Sequence, residues 1–193
     1  GRAFPAVKVI PMKLNDILQE KKSSIVKRWF EAVLESYPEG ARGPFGRREA
    51  QFTNPVGFTL AEGIEGLFDA LLKGLIPDTV SAFLDGMIRI RAVQDFTPSQ
   101  AVAFIFRVKT IVREELGDAV VSDRGMAGQL SSLDSTIDDL ALFAFDIYMK
   151  CREKIYDIKA QEARNMTFRL LQQANLIAGN KGVFAIRTSS ERR

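Results

Sequence analysis

Apolar positions recur every three or four residues along most of the chain, and this helical spacing sets the reading. The densest stretch lies between Thr97 and Leu116. Six consecutive apolar residues, Ala101 to Phe106, are followed there by Val108, Ile111 and Val112. A helix apolar on nearly every side must be covered on nearly every side, so this segment is expected at the centre of a bundle. Its start is marked by Thr97 as N-cap, Pro98 at the first helical position and Gln100 as capping-box partner.

Leu14 to Ser36 reads as helix with a joint near Lys21–Ser24, and Ile25, Val26, Trp29, Phe30, Val33 and Leu34 turn inward. Residues 38–50 read as a Gly/Pro/Arg-rich loop in which Arg42, Arg47 and Arg48 are solvated, with contact to an anion as the alternative. Asn54 and Pro55 open the next helix, with Leu60, Ile64, Leu67, Phe68 and Leu71 as its apolar stripe. Gly63 and Gly66 sit inside that helix, where glycine costs about 1 kcal/mol relative to alanine. Close packing of another helix is the expected reason. Pro77–Asp78 start a further helix with Val80, Phe83, Leu84, Met87 and Ile88 inward and two arginines, Arg89 and Arg91, near its C-terminal end.

From Gln129 to Ala178 neither glycine nor proline occurs, which predicts one long helix over 129–178. Its first half is aromatic (Phe143, Phe145, Tyr148) and packs on the bundle; its second half is polar and projects beyond it. Ala144, Ile155, Met166 and Ile177 fall at intervals of eleven, close to the period of a straight helix. The expected organisation is a vector-derived or mobile N-terminal extension (1–11), a helical bundle (12–128), the long helix (129–178) and a mobile tail (179–193), with a short strand conceivable at Val183–Ile186. The fold class is all-α.

Composition narrows the chemistry. The chain has 193 residues, enough for one substantial core. Its 27 basic and 24 acidic residues are interspersed, so no nucleic-acid partner is implied. No apolar run approaches the ~20 residues of a membrane span. The single cysteine, Cys151, rules out an intrachain disulfide and fits a cytoplasmic protein; it lies on the apolar stripe as a small filler. Histidine is absent, which removes histidine-based nucleophile systems, His-liganded zinc and an intrinsic imidazole ligand for haem. No cofactor and no catalytic residue is expected. The adjacent carboxylates Asp138–Asp139 and Glu114–Glu115 diverge by about 100° on a helix and make poor acid–base or metal pairs.

The best polar grouping is Arg89, Arg91, Gln94, Asp95 and Arg107, around the turn before the central helix. It serves either as a ligand site or as a structural ion-pair cluster, with Arg107 partly buried and Asp95 or Asp85 as its acidic partner.

Two stretches, Phe52–Gly57 (FTNPVG) and Ile90–Ala101 (IRAVQDFTPSQA), carry a family resemblance, supported by Phe145–Tyr148 (FDIY) and Cys151–Tyr156 (CREKIY). Together they resemble the N-terminal domain of RsbRD-type RsbT co-antagonist proteins over roughly residues 24–160. The resemblance implies an all-helical, non-catalytic sensory or regulatory module of bacterial stress signalling, usually placed before a STAS domain. Related RsbR input domains have a globin-like fold without haem. The tail after the long helix leaves no room for a STAS domain, so a stand-alone form that binds a protein partner is expected. A different class of reading is a cofactor-binding accessory or enzyme subunit with a site between helices. The long helix is expected to form a homodimer through Ile155, Ile158, Met166, Leu170 and Ile177, because an isolated projecting helix is marginally stable.

Overall fold

A computed structural model describes residues 12–46, 54–74, 77–117 and 124–173. The expected extension over 1–11, the tail over 179–193, Arg47, Arg48 and Ile177 lie outside these. Among the described residues there are seven helices and no strand. The chain divides into two compact units, Gly1–Arg152 and Glu153–Arg193.

In the first unit, α1 (Met12–Glu20) and α2 (Lys22–Glu35) are separated at Lys21, where the sequence places a joint. α4 (Pro55–Lys73) packs most extensively on α5 (Pro77–Val93), and α2 on α6 (Pro98–Leu116). The close approach of α4 and α5 rests on glycine. A β-carbon on Gly63 would strike Met87, and one on Gly66 would strike the ring of Phe83. Trp29, Val33, Leu60, Ile64, Leu67, Leu84, Met87 and Ile105 fill the core.

Two expectations need correction. The stretch read as a loop contains α3 (Glu39–Gly46). Arg42 holds it back on α2, donating from Nε to the Tyr37 carbonyl at 2.7 Å and from Nη2 to that of Glu35 at 2.9 Å. Arg42 stays exposed, and its guanidinium at the same time satisfies carbonyls left open at the helix end. Second, α6 is not covered all round. Phe104, Ile105, Val108 and Val112 are buried, whereas Ala103, Phe106, Arg107 and Thr110 form an exposed strip. The apolar run is continuous in sequence, but the helical period still turns part of it to solvent.

α7 (Arg124–Gln173) is one unbroken helix that starts five residues before the expected Gln129. Within the first unit, Met126, Leu130, Leu133, Ile137, Leu140, Ala144, Ile147 and Tyr148 form its buried face. Lys109 meets Asp138 at 2.6 Å, and Arg113 pairs with Asp134 beside that face. In the second unit no described side chain of α7 is buried: Ile155 and Leu171 are half-exposed and the rest are exposed.

Candidate functional site: a buried arginine in an aromatic box

The residues grouped around the α5–α6 turn separate in the fold. Arg89 is exposed and pairs with Asp85 one turn back, at 2.7 Å. Arg107 is exposed, with only the Glu35 carboxylate at 4.0 Å. The expectation that Arg107 is partly buried, with Asp95 or Asp85 as its acidic partner, is therefore wrong. Gln94 is exposed in the turn.

Arg91 is the buried cation, with no accessible surface. It continues the inward stripe of Val80, Leu84 and Met87 at spacings of four, three and four, which Arg89 does not. Its Cζ lies 5.1 Å from the ring centre of Tyr37, 5.0 Å from Phe96 and 4.8 Å from Phe104. Nη2 donates to Ser36 Oγ at 2.9 Å and Nη1 to the Gln100 carbonyl at 3.2 Å. Among the described residues no carboxylate pairs with it. Nε and the hydroxyl of Tyr37 are both buried, and the guanidinium and the phenol are each other's polar neighbours.

Electrostatics follow from that enclosure. Burial lowers the Arg91 pKa, and Tyr37 opposes the shift. Burial likewise raises the Tyr37 phenol, against the pull of the neighbouring guanidinium. An arginine stays charged in proteins regardless. Burying an ion costs several kcal/mol. Desolvated cation–π contacts contribute up to about 2 kcal/mol each, so three rings offset a cost of that size without an acidic partner. Tyr37 also stacks edge-on against Phe96 at 5.2 Å and Phe45 of α3 at 5.3 Å.

The turn above the box is gripped by α7. Asp95 takes a left-handed conformation (φ 58°), and Phe96 N donates to the Arg91 carbonyl at 3.2 Å, closing α5 in a Schellman-type cap. Arg152 of α7 donates to the Ala92 carbonyl at 3.0 Å and to Asp95 at 2.8 Å. The Tyr148 hydroxyl donates to the Phe96 carbonyl. Thr97 and Gln100 form the predicted capping box on the other side. Sequence reading missed Tyr37, Ser36, Phe104 and Arg152; only the stripe position of Arg91 pointed toward them.

A second feature is an open groove of about 180 Å³ between α2 and α6, lined by Arg28, Glu31, Glu35, Arg107, Thr110 and Glu114 among others. Both charge signs line it, and Arg28 is already bonded to Glu114 and Glu115. Among the described residues no three Cys, Asp or Glu side chains converge as a metal site. No described helix is long and apolar enough to cross a membrane.

An all-α multi-helix bundle with a long C-terminal helix is the class that this fold defines. The chain belongs to the RsbT co-antagonist protein rsbRD N-terminal domain family, whose model matches residues 23–163. That family is one of regulatory domains in stress signalling by partner switching. Comparison with the curated proteins and with solved structures finds no match.

Proposed function

We propose that this chain is a non-catalytic regulatory module of bacterial stress signalling, acting in the cytoplasm as a homodimer that binds a protein partner. The observation that carries the reading is the set of apolar side chains left exposed in the second unit. Ile158, Met166, Phe168 and Leu170 are each at least half-exposed there, on a stretch of α7 (153–173) in which no described residue is buried. An isolated helix of this length is marginal in water, and packing an apolar face is the usual remedy.

Of the residues expected at the contact, Met166 and Leu170 are well exposed, Ile158 is 51% exposed, and Ile155 is half-buried. The eleven-residue series begins at Ala144, which is buried in the first unit, so that series does not trace one open face. A better seam runs Tyr156, Ala160, Ala163, Thr167 and Leu170, all exposed and spaced by four and three. This seven-residue period favours a left-handed pair of helices, and its small residues let two backbones approach. A second copy, which carries the same seam, is the simplest occupant.

Sedimentation of the full chain at tens of micromolar tests the reading. A dimer is expected, converted to monomer by Leu170→Lys or Ala163→Glu with helical content of the first unit retained. A wild-type monomer overturns the dimer. Co-purification from the source cell, comparing wild type with these variants, then shows whether partner binding depends on the same seam.

A further inference from the structure

We propose that Leu142, Phe145 and Met149, on the outer face of α7 in the first unit, belong to the surface through which two copies of this chain pair. Apolar side chains exposed singly are ordinary on a protein surface, but a cluster of them marks an interaction site. Among the described residues the first unit exposes five large apolar side chains: Val93, Phe106, Leu142, Phe145 and Met149. Val93 stands apart at the end of α5. The other four gather where α6 and α7 lie side by side. Those helices run antiparallel, since Lys109 meets Asp138 and Arg113, one turn on, meets Asp134, one turn back. One turn the other way stand Phe106 on α6 and Leu142 on α7, along the same edge.

The outer face of α7 changes character along its length. Its outward positions in the first unit are Ser131, Ser135 and Asp138, then Leu142, Phe145 and Met149, spaced by four and three. Polar residues occupy that face first, as contact with water favours, and apolar ones then replace them with the helical phase unchanged. Water gives no reason for the switch; a partner does. Phe106 forms the rim. The Lys109 ammonium lies 5.7 Å from the centre of its ring and also bonds Asp138 at 2.6 Å. Polar groups of this kind border the apolar centre of an interface.

The occupant is a second copy; the inference rests on the dimer proposed above and adds contacts to it. Leu142, Met149, Tyr156, Ala163 and Leu170 recur every seven residues on α7, and each is exposed. The first unit's stripe is therefore in phase with the seam from Tyr156 to Leu170. That seam alone is short. It spans about 21 Å at 1.5 Å per residue, and its middle is Ala160, Ala163 and Thr167. A stable interface buries about 800 Å² per partner over roughly 20–30 residues, which four turns of one helix with small side chains do not reach. Starting the contact at Leu142 lengthens it to about 42 Å and brings in three large side chains. A partner must then present an apolar heptad of comparable length, and a second α7 does so by construction.

The test is sedimentation of the full chain, wild type against Leu142→Lys, Met149→Lys and Leu170→Lys, with Ser131→Lys as control on the polar part of the same face. All four positions are exposed, so no lysine enters the core. Leu142→Lys and Met149→Lys should each raise the dimer dissociation constant at least about tenfold, the scale of losing one interface anchor. Ser131→Lys should leave it unchanged. A second measurement avoids a buried charge: in a Cys151→Ser chain, maleimide labelling of Leu142→Cys should slow severalfold as protein concentration rises into the dimer range, and that of Ser131→Cys should not. A wild-type dimer dissociated by Leu170→Lys but unchanged by both first-unit lysines overturns this inference and leaves the second-unit seam standing. A labelling rate at Leu142→Cys that is independent of concentration overturns it equally, even if a lysine variant misfolds. Dissociation by the first-unit lysines alone keeps this surface and removes the seam. A wild-type monomer at tens of micromolar overturns both.

Discussion

The indole N–H of Trp29 donates to the main-chain carbonyl of Phe104 at 2.8 Å, and both side chains are buried. This bond fixes the depth at which α2 meets α6, and it sits beside the ring that faces Arg91. Phe104→Ala should therefore cost about 3–5 kcal/mol, the range for truncating a buried aromatic. Phe106, two residues on, is 43% exposed and lies under the Lys109 ammonium at 5.7 Å. Its replacement by alanine should cost about 1 kcal/mol or less, the worth of an exposed cation–π contact. Urea unfolding followed by the single tryptophan measures both. Equal midpoints for the two variants would contradict the packing of α6.

Gly66 offers a case where helix propensity and packing oppose each other. Alanine is favoured by about 1 kcal/mol within a helix. Its β-carbon would nonetheless meet the half-buried Phe83 ring, which has to move. Gly66→Ala should be net destabilising by about 1–3 kcal/mol, as for other overpacked cores. Pairing it with Phe83→Leu should recover part of the loss in the same unfolding assay. A Gly66→Ala variant more stable than wild type would show that α4 and α5 are looser than described.

These two cases also show what was legible beforehand. Glycines inside an apolar helix mark a close approach whatever the partner, so Gly63 and Gly66 announced the α4–α5 contact. The caps at Asn54 and Thr97 were local signals, and each forms as the residue types dictate: Asn54 accepts from Gly57 N at 3.0 Å, and Thr97 completes a capping box with Gln100. The box around Arg91 was only half legible. The stripe position of Arg91 is written in its own helix, but Tyr37 and Phe104 come from α2's end and α6, and their convergence is tertiary. Arg107 was misplaced because an unbroken apolar run hides which residues the helical turn sends outward. Arg42 is exposed as expected, but nothing local shows that it lies on a helix or that its side chain folds back onto two carbonyls.

At alkaline pH the box should report on itself. The Tyr37 pKa is raised, first by burial, so its neutral form is favoured in the folded state. A raised pKa contributes stability that is complete below the unfolded value, about 10, and is lost as pH rises toward the folded value. The difference in phenolate absorbance between wild type and Tyr37→Phe should therefore show a step above pH 10, or no step before unfolding. The Tyr37→Phe variant should lose less stability over that range. A step at or below the ordinary tyrosine value would mean that the phenol is open to water.

Acid should act at the opposite end of α6. Glu115 Oε1 accepts from Ser24 Oγ at 2.7 Å and from Arg28 Nη1 at 3.0 Å, and its other oxygen lies 3.7 Å from Lys21 Nζ. The side chain is only 15% exposed, unlike most of the carboxylates paired around it. Its pKa is lowered, chiefly by the Ser24 hydroxyl and then by Arg28, with burial opposing. A lowered carboxylate contributes stability that is complete above its unfolded pKa, about 4.3, and is lost as pH falls through the folded value. Glu115→Gln keeps the shape and removes the titration. At neutral pH it should cost about 1 kcal/mol, the upper end for ion pairs near a surface. The gap between wild type and variant should then close as pH falls below about 4, since both chains carry a neutral group there. Because salt screens such a pair, the neutral-pH gap should also narrow at high ionic strength. Denaturant midpoints across this pH range provide the measurement. A gap that persists undiminished at low pH would assign the contribution of Glu115 to packing between α2 and α6 rather than to its charge.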